Sequence, residues 1–311
     1  MESQKPKIAM YAKRSFGEKM NASFDFIKEN WKLLLKFTTY LLLPLCLIQA
    51  LSLNGLMGGV FAMSAMVSAT AIAATPSSVV TLVTYYAVYV FIYMMGTALL
   101  TSMVYGLIRT YNEREERLQD VTLGMLKPLL FRNVRRMLLI IIVCFVLAVF
   151  VLLLTGFLAA FSLFTLLLTI PFLIAFSVPL ALLAPIYLFE DISFGTAFTK
   201  TFRLGFATWG GVFLISLLMG VIANILQGVT MMPWYIATVI KGIFATSEGG
   251  SELTVSVGYN FFLYLLAIIQ SFGIYLSMIF AVVGLAYQYG HASEVVDSIT
   301  VESDIDSFDK L

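Results

Sequence analysis

Charge is what this chain has least of. Residues 37–108 contain no Asp, Glu, Lys or Arg, and neither do residues 137–189, 204–240 or 253–293. Overall 60% of residues are hydrophobic and 12% charged, against about 45–50% and about 25% in soluble domains. A soluble globular fold is excluded, and each charge-free run can hold one or two of the ~20-residue helices that cross a bilayer. Histidine occurs once, at His291. A multi-histidine site, such as the four-histidine iron of a carotenoid-cleaving oxygenase, cannot be assembled from it. The Cys, His and carboxylate ligands that zinc needs are scattered, and His291 reads as an interfacial residue. Cysteine occurs twice, at Cys46 and Cys144, both inside apolar runs. That argues against a disulfide framework and against a thiolate site, because apolar surroundings disfavour the charged thiol.

The phosphate loop GxxxxGK[ST], HExxH and GxSxG are all missing. Ionisable groups are missing from the span centres as well, where ion-coupled transporters place them. No enzyme activity, metal or cofactor is expected. The 19 basic and 18 acidic residues nearly cancel, so net charge predicts no nucleic-acid partner. The main carboxylate clusters, the Glu190-Asp191 pair and "NEREER" at residues 112–117, read as helix-capping or solvated groups.

The first apolar run begins at Leu33 behind a charged segment, which predicts a permanent anchor rather than a cleaved signal peptide. Spans are predicted near residues 33–53, 79–108, 210–232 and 260–289, with two more where the 137–189 run divides at "GFLAAFS". Lys and Arg gather on the cytoplasmic side of short loops. They cluster from Lys5 to Lys36 and again from Arg109 to Arg136, so an even number of spans separates these two segments. Residues 58–74 then read as a re-entrant or outer-surface helix, and residues 233–259 as an outer loop with a short interfacial helix. Residues 190–209 and the acidic tail at 293–311 fall on the cytoplasmic side, leaving Lys241 as the one basic residue opposite. The tail is too polar to fold alone. The expected location is a bacterial cytoplasmic (inner) membrane, multi-pass, with both termini cytoplasmic.

One phrase is written more than once. "SFGEKMNASFDFIKENW" at residues 15–31 and "SFGTAFTKTFRLGFATW" at residues 193–209 share Ser, Phe, Gly, Phe and Trp at identical spacings, and "TLGMLKPLLFRNVRRML" at residues 122–138 is a weaker copy. Repeats outrank local signals in deciding a fold. Ser15, Thr122 and Ser193 can each cap a helix. In the first copy Phe16, Met20, Phe24, Ile27 and Trp31 fall on one helical face, opposite Glu18, Asp25, Lys28, Glu29 and Lys32. Such a helix lies in the membrane surface. The expected fold is all-α integral membrane: six transmembrane helices as three repeats of a cytoplasmic amphipathic helix plus a transmembrane hairpin. The repeat units cover residues 15–108, 122–189 and 193–290 of a single domain at 1–292.

At "LLAPIYLFEDISFGTAFTKTFRLGFATWGGVFL" the chain resembles a group of poorly characterised bacterial membrane families. One of these is the membrane domain fused to some glycerophosphodiester phosphodiesterases. Ala184 and Pro185 at a span end, Glu190, the Gly195 and Ala197 helix and the closing Trp209 carry the resemblance. It implies a fold and a location. It implies no hydrolysis, since no phosphodiesterase domain accompanies it here.

These readings converge on a non-enzymatic protein that organises lipid or recruits partners through inner-leaflet amphipathic helices. The expected membrane-interface anchors are Phe24, Trp31, Phe131, Phe202 and Trp209. Lys28, Lys32, Arg132, Arg135 and Arg136 are the expected contacts to anionic lipid, at about 1 kcal/mol each. The alternative is a permease or exporter for a lipid-like or apolar solute, with Asn224, Gln227 and Gln270 as intramembrane ligands or helix–helix contacts beside Gln49 and Asn54. Partners are membrane lipids, with a protein partner or self-association as a further expectation.

Overall fold

The computed structural model describes residues 6–68, 76–246 and 256–299. Among them the chain is all-helical: α1 (Phe16–Ser68), α2 (Pro76–Glu113), α3 (Leu123–Phe161), α4 (Thr165–Leu180), α5 (Leu183–Phe189), α6 (Phe194–Ala207), α7 (Trp209–Thr246) and α8 (Val257–Val296). Six stretches are long and apolar enough to cross a membrane, with α4 and α5 together making one of them.

The helices outrun the bilayer. At 1.5 Å per residue the 53 residues of α1 extend about 80 Å, whereas the hydrocarbon core is about 30 Å thick. Much of α1 therefore lies outside hydrocarbon, and its charged first turns are the part that can.

Several boundaries differ from expectation. The first two copies of the repeated phrase run without a break into the helix that follows, because nothing between Trp31 and Leu34, or between Arg136 and Leu139, interrupts helical hydrogen bonding. Only the third copy is a separate helix. There Thr208 departs from helical geometry (φ −122°, ψ 29°) before α7 begins. The stretch expected as a distinct helix at 58–74 continues α1 as far as Ser68, and residues 69–75 lie outside the described residues. The expected outer loop at 233–259 is helical through Pro233 to Thr246, with residues 247–255 outside the described set. Pro233 is tolerated because packing of Trp234 and Ala237, both buried, holds the helix where a backbone bond is lost. The tail expected from residue 293 starts later, since α8 runs to Val296 and buries Ser293 and Glu294. Residues 300–311 lie outside the described residues.

The chain divides into two compact units. The first comprises Met1–Leu34, Thr101–Val221 and Ile279–Leu311. Its interior is aromatic, with Phe26, Tyr105, Tyr111, Tyr287 and Tyr289 fully buried. In this unit α6 packs on α4 and α5, and α3 packs on the same pair. The approach of α6 to α4 needs Gly205, where an added Cβ would lie 2.6 Å from the Cβ of Pro179. Phe145, Phe150, Phe157 and Phe161 on α3 and Phe164 and Phe172 beyond it stay exposed, a surface suited to lipid chains.

The second unit comprises Leu35–Leu100 and Ile222–Met278. By sequence its only charged residues are Lys36, Lys241, Glu248 and Glu252. Ala50, Leu53, Trp234 and Ala267 form a buried cluster, joined by Met57, Tyr89 and Tyr264. Gly96 admits the ring of Tyr275, which a Cβ at that position would strike.

Candidate functional site

The repeated phrase lies in the first unit, and its caps differ. The backbone N–H and Oγ of Ser15 donate to Glu18 Oε2 at 2.7 and 2.8 Å, while the Glu18 N–H donates back to Ser15 Oγ at 3.4 Å. This is a reciprocal capping box. Ser193 Oγ accepts from the Thr196 N–H at 3.2 Å. Thr122 makes no side-chain cap bond. Its partner position is Met125, which has no carboxylate to complete a box.

Beyond each start, the same register turns inward. Lys19, Leu126 and Ala197 occupy matching positions and are buried, as are Phe26, Asn133 and Leu204. Matching hydroxyls bond back along their helices at 2.8 Å, Ser23 to the Lys19 carbonyl and Thr201 to the Ala197 carbonyl. Asn30 and Thr208 likewise donate to the Phe26 and Leu204 carbonyls at 2.9 Å.

The predicted anchors sit on the neighbouring face. Trp31 is 52% and Phe131 67% exposed. Phe24, Phe202 and Trp209 are half-buried: Phe24 lies beside Phe280, Phe202 between Phe198 and Phe206. Trp209 donates through Nε1 to the Ala175 carbonyl at 3.0 Å and stacks on Phe213.

The five predicted lipid-contact cations separate into two sets. Lys28, Lys32 and Arg135 are exposed, with the Lys32 ammonium 5.9 Å from the Trp31 ring centre. Arg132 binds Asp191 at 2.9 Å. Arg136 donates to the carbonyls of Tyr187 and Glu190 at 2.8 Å and lies over the Tyr187 ring.

Glu190 and Asp191, expected as capping groups, instead tie elements together, because Ser193 already caps α6. Asp191 gathers Arg132, and at longer range Arg136 and Arg109. Glu190 accepts from Lys200 at 2.9 Å and from the Tyr289 hydroxyl at 2.6 Å. Lys200 also reaches Asp297 at 3.0 Å, and Arg203 reaches it at 2.6 Å. Burial alone would lower the Lys200 pKa, but the hydrogen bonds to Glu190 and Asp297 outweigh it and hold the ammonium above the ordinary lysine value. A second pair joins Arg117 to Glu29 at 2.7 Å, with the Tyr111 hydroxyl donating to the same carboxylate at 3.1 Å. The hydrogen bond to Glu29 raises the Arg117 pKa. His291 accepts at Nδ1 from the Arg14 backbone N–H at 3.0 Å. Among the described residues no three His, Cys, Asp or Glu converge in a way that could hold a metal ion.

In the second unit the predicted amides are spread apart in burial. Asn224 is exposed, Gln227 half-buried and Gln270 buried, with its Oε1 lacking a partner among the described residues. The interior is organised by two other amides. Gln49, fully buried, accepts from the Tyr275 hydroxyl at 2.8 Å, and Asn54 accepts from Trp234 Nε1 at 3.0 Å. Asn54 also borders a cavity of about 220 Å³ shared with Thr238, Lys241, Asn260, Leu263 and Tyr264. In the sequence Lys241 stands out as the one basic residue expected opposite the others, and its isolation within residues 204–247, which are otherwise uncharged, is the signal for this site.

No family profile, curated protein or solved structure matches this chain. The functional reading therefore rests on its own residues.

Proposed function

We propose that this chain is a non-enzymatic, six-span protein of the cytoplasmic membrane that organises anionic lipid, or recruits partners, through amphipathic helix starts at the inner leaflet. The observation that carries the reading is the pairing of exposed aromatic and exposed cation on those starts: Trp31 with Lys28 and Lys32 on α1, and Phe131 with Arg135 one turn along α3. An indole or phenyl ring at headgroup depth next to a lysine or arginine is the side-chain chemistry of a helix that grips an anionic interface. The common buried register of the three segments supports reading them as copies of one unit, each with its hairpin. The clustering of basic residues in the first unit supports placing that unit's loops and both termini in the cytoplasm. The resemblance to the membrane domain of glycerophosphodiester phosphodiesterases is part of the same proposal.

The internal contacts narrow the expected lipid-binding set. Arg132 and Arg136 are engaged with Asp191 and backbone carbonyls, so Lys28, Lys32 and Arg135 carry the lipid contact in this proposal. At about 1 kcal/mol per basic residue near an anionic surface, reversing all three weakens anionic-lipid association by about 100-fold or more. The test is lipid carried through gentle extraction, compared between the native chain and a Lys28→Glu, Lys32→Glu, Arg135→Glu variant. Equal phosphatidylglycerol in both would sink the reading.

A permease for a lipid-like solute is the second reading. Several buried polar atoms of the second unit lack partners among the described residues, Gln270 Oε1 and Ser271 Oγ among them, which favours it. Transport of a labelled amphiphile by the purified chain in vesicles would establish it in place of the first.

A further inference from the structure

The cavity in the second unit has a one-sided hydrogen-bond chemistry. Trp234 Nε1 and Lys241 Nζ are groups that can only donate, and they occupy the amide oxygens of Asn54 and Asn260, at 3.0 and 2.7 Å. That fixes both amides with their NH₂ groups as the remaining capacity. Lys241 spends one of its three N–H bonds on Asn260 and forms no ion pair among the described residues. Thr238 is 5% exposed, lines the cavity, and its Oγ1 is buried without a partner among the described residues. The polar capacity these four side chains leave over is rich in donors: one positive charge, two amide NH₂ groups and one hydroxyl that can donate, against the second lone pairs of the two amide oxygens. A ligand that satisfies such a set is an anion rich in acceptor oxygens.

Apart from Tyr264, whose hydroxyl donates to the Leu47 carbonyl at 3.2 Å, the rest of the wall is apolar. Leu51, Met57 and Leu263 line it, and Leu51 is 59% exposed, so the apolar surface continues from the cavity to the outside of the helix. The volume, about 220 Å³, is below the ~300–1,000 Å³ of pockets that enclose a whole drug-sized ligand. It suits a headgroup whose chains run outward.

The depth agrees. Counting about 20 residues of span from Phe37, the first residue of the charge-free run, reaches the neighbourhood of Met57 and Gly58, which border the cavity. Lys241 ends the charge-free run 204–240, and Asn260 follows closely on the start of α8. Three separate segments thus bring their span ends to this one cavity.

We infer that Lys241, Asn260, Asn54 and Thr238 form a binding site for the phosphodiester headgroup of an anionic lipid, with its acyl chains running outward along Leu51. The site uses none of the exposed cations of the first unit and stands or falls apart from them.

The test is native mass spectrometry of the delipidated full chain titrated with phosphatidylglycerol, phosphatidylcholine or glycerol phosphate. With Lys28, Lys32 and Arg135 reversed, one phosphatidylglycerol is expected to bind, with Lys241→Gln weakening it about tenfold through loss of a charge-assisted hydrogen bond and Lys241→Arg retaining it. Thr238→Val, which keeps the volume, is expected to weaken it severalfold and serves if Lys241→Gln does not yield a folded chain. The Lys28, Lys32, Arg135 triple reversal should leave this equivalent in place. Unchanged binding in both Lys241→Gln and Thr238→Val would overturn the site. Equal binding of phosphatidylcholine would overturn its anion preference, and glycerol phosphate binding as tightly as the lipid would overturn the assignment to a membrane source.

Discussion

Removing the Glu190 carboxylate tests the ion-pair clasp of the first unit. Its side chain is 17% exposed and that of Lys200 18%, so the pair is partly shielded from solvent, and the fully buried Tyr289 supplies the second hydrogen bond at 2.6 Å. A hydrogen bond to a charged group contributes ~1.5–3 kcal/mol, and a buried hydroxyl deprived of its acceptor costs a further ~1–3 kcal/mol. Lys200 keeps Asp297, which offsets part of the loss. Glu190→Ala is therefore expected to cost ~3 kcal/mol, and Glu190→Gln, which keeps an acceptor, roughly half of that. The comparison is Glu116→Ala. It breaks a 3.0 Å contact with Arg114 in which Glu116 is 74% exposed, and exposed pairs of this kind are worth ~0–1 kcal/mol. The assay is thermal unfolding in detergent followed by the monodisperse fraction on size exclusion, at pH 7, 9 and 11. Because folding raises the Lys200 pKa, its contribution is complete below the unfolded lysine value of 10.5 and fades as pH climbs through the higher folded value. The gap between the native chain and Lys200→Met should thus persist at pH 7 and 9 and shrink at pH 11. Glu190→Ala melting no lower than Glu116→Ala would refute the clasp, and a gap that stays constant to pH 11 would refute its protonation logic.

Two further substitutions probe local geometry with the same melting assay. Gly205→Ala places a Cβ 2.6 Å from that of Pro179, so α6 must back away from α4, with a loss of ~1–3 kcal/mol expected from overpacking; a neutral result would mean the two helices are not held at that distance. Ser15→Ala removes a capping box and should cost ~1 kcal/mol, whereas Thr122→Ala removes a hydroxyl that caps nothing and should change stability little. Equal effects at the two positions would contradict the capping difference.

The six apolar spans were legible in the sequence because charge-free runs of that length have one physical use. Helix ends were less legible. Pro233 and the small residues after Gly58 have the local signature of terminators, yet α7 and α1 continue through them, since packing can replace a lost backbone bond and the ~1 kcal/mol that each of Gly58 and Gly59 costs is small beside a long helix that includes Ala62 and Ala65. Glu190 and Asp191 illustrate a different limit. Adjacent carboxylates before a helix have the local signature of caps, and nothing near them in the chain announces that Tyr289 and Asp297 supply their surroundings from much later in the sequence. The donor cavity had clues in the isolation of Lys241 and in the intramembrane amide Asn54, but Thr238 was hidden among residues with ordinary neighbours.

The first helix shows why apolar periodicity alone misplaces the interior of such a protein. In water the apolar face is the buried one, because burial is what lowers its free energy. Against lipid chains that driving force vanishes, and helices associate instead through packing and polar contacts. On α1 the stripe from Phe16 to Trp31, chosen for its hydrophobicity, is half-exposed or exposed, while the buried positions one step round include Lys19, Ser23 and Asn30. Lys19 is 4% exposed and donates to Gln288 Oε1 at 2.8 Å, and the two side chains lie where a Cβ on Gly211 would crowd them. A polar residue is costly in lipid and uncostly against a partner, so it is a pointer to the protein interior, one that holds for Gln49 and Gln270 and not for Asn224, which stays exposed. By that rule the sequence places to examine were Lys19, Gln49, Asn54 and Gln288 before any phenylalanine, and all four take part in a side-chain hydrogen bond across a large separation in the chain to a buried partner: Lys19 with Gln288, Gln49 with Tyr275 and Asn54 with Trp234.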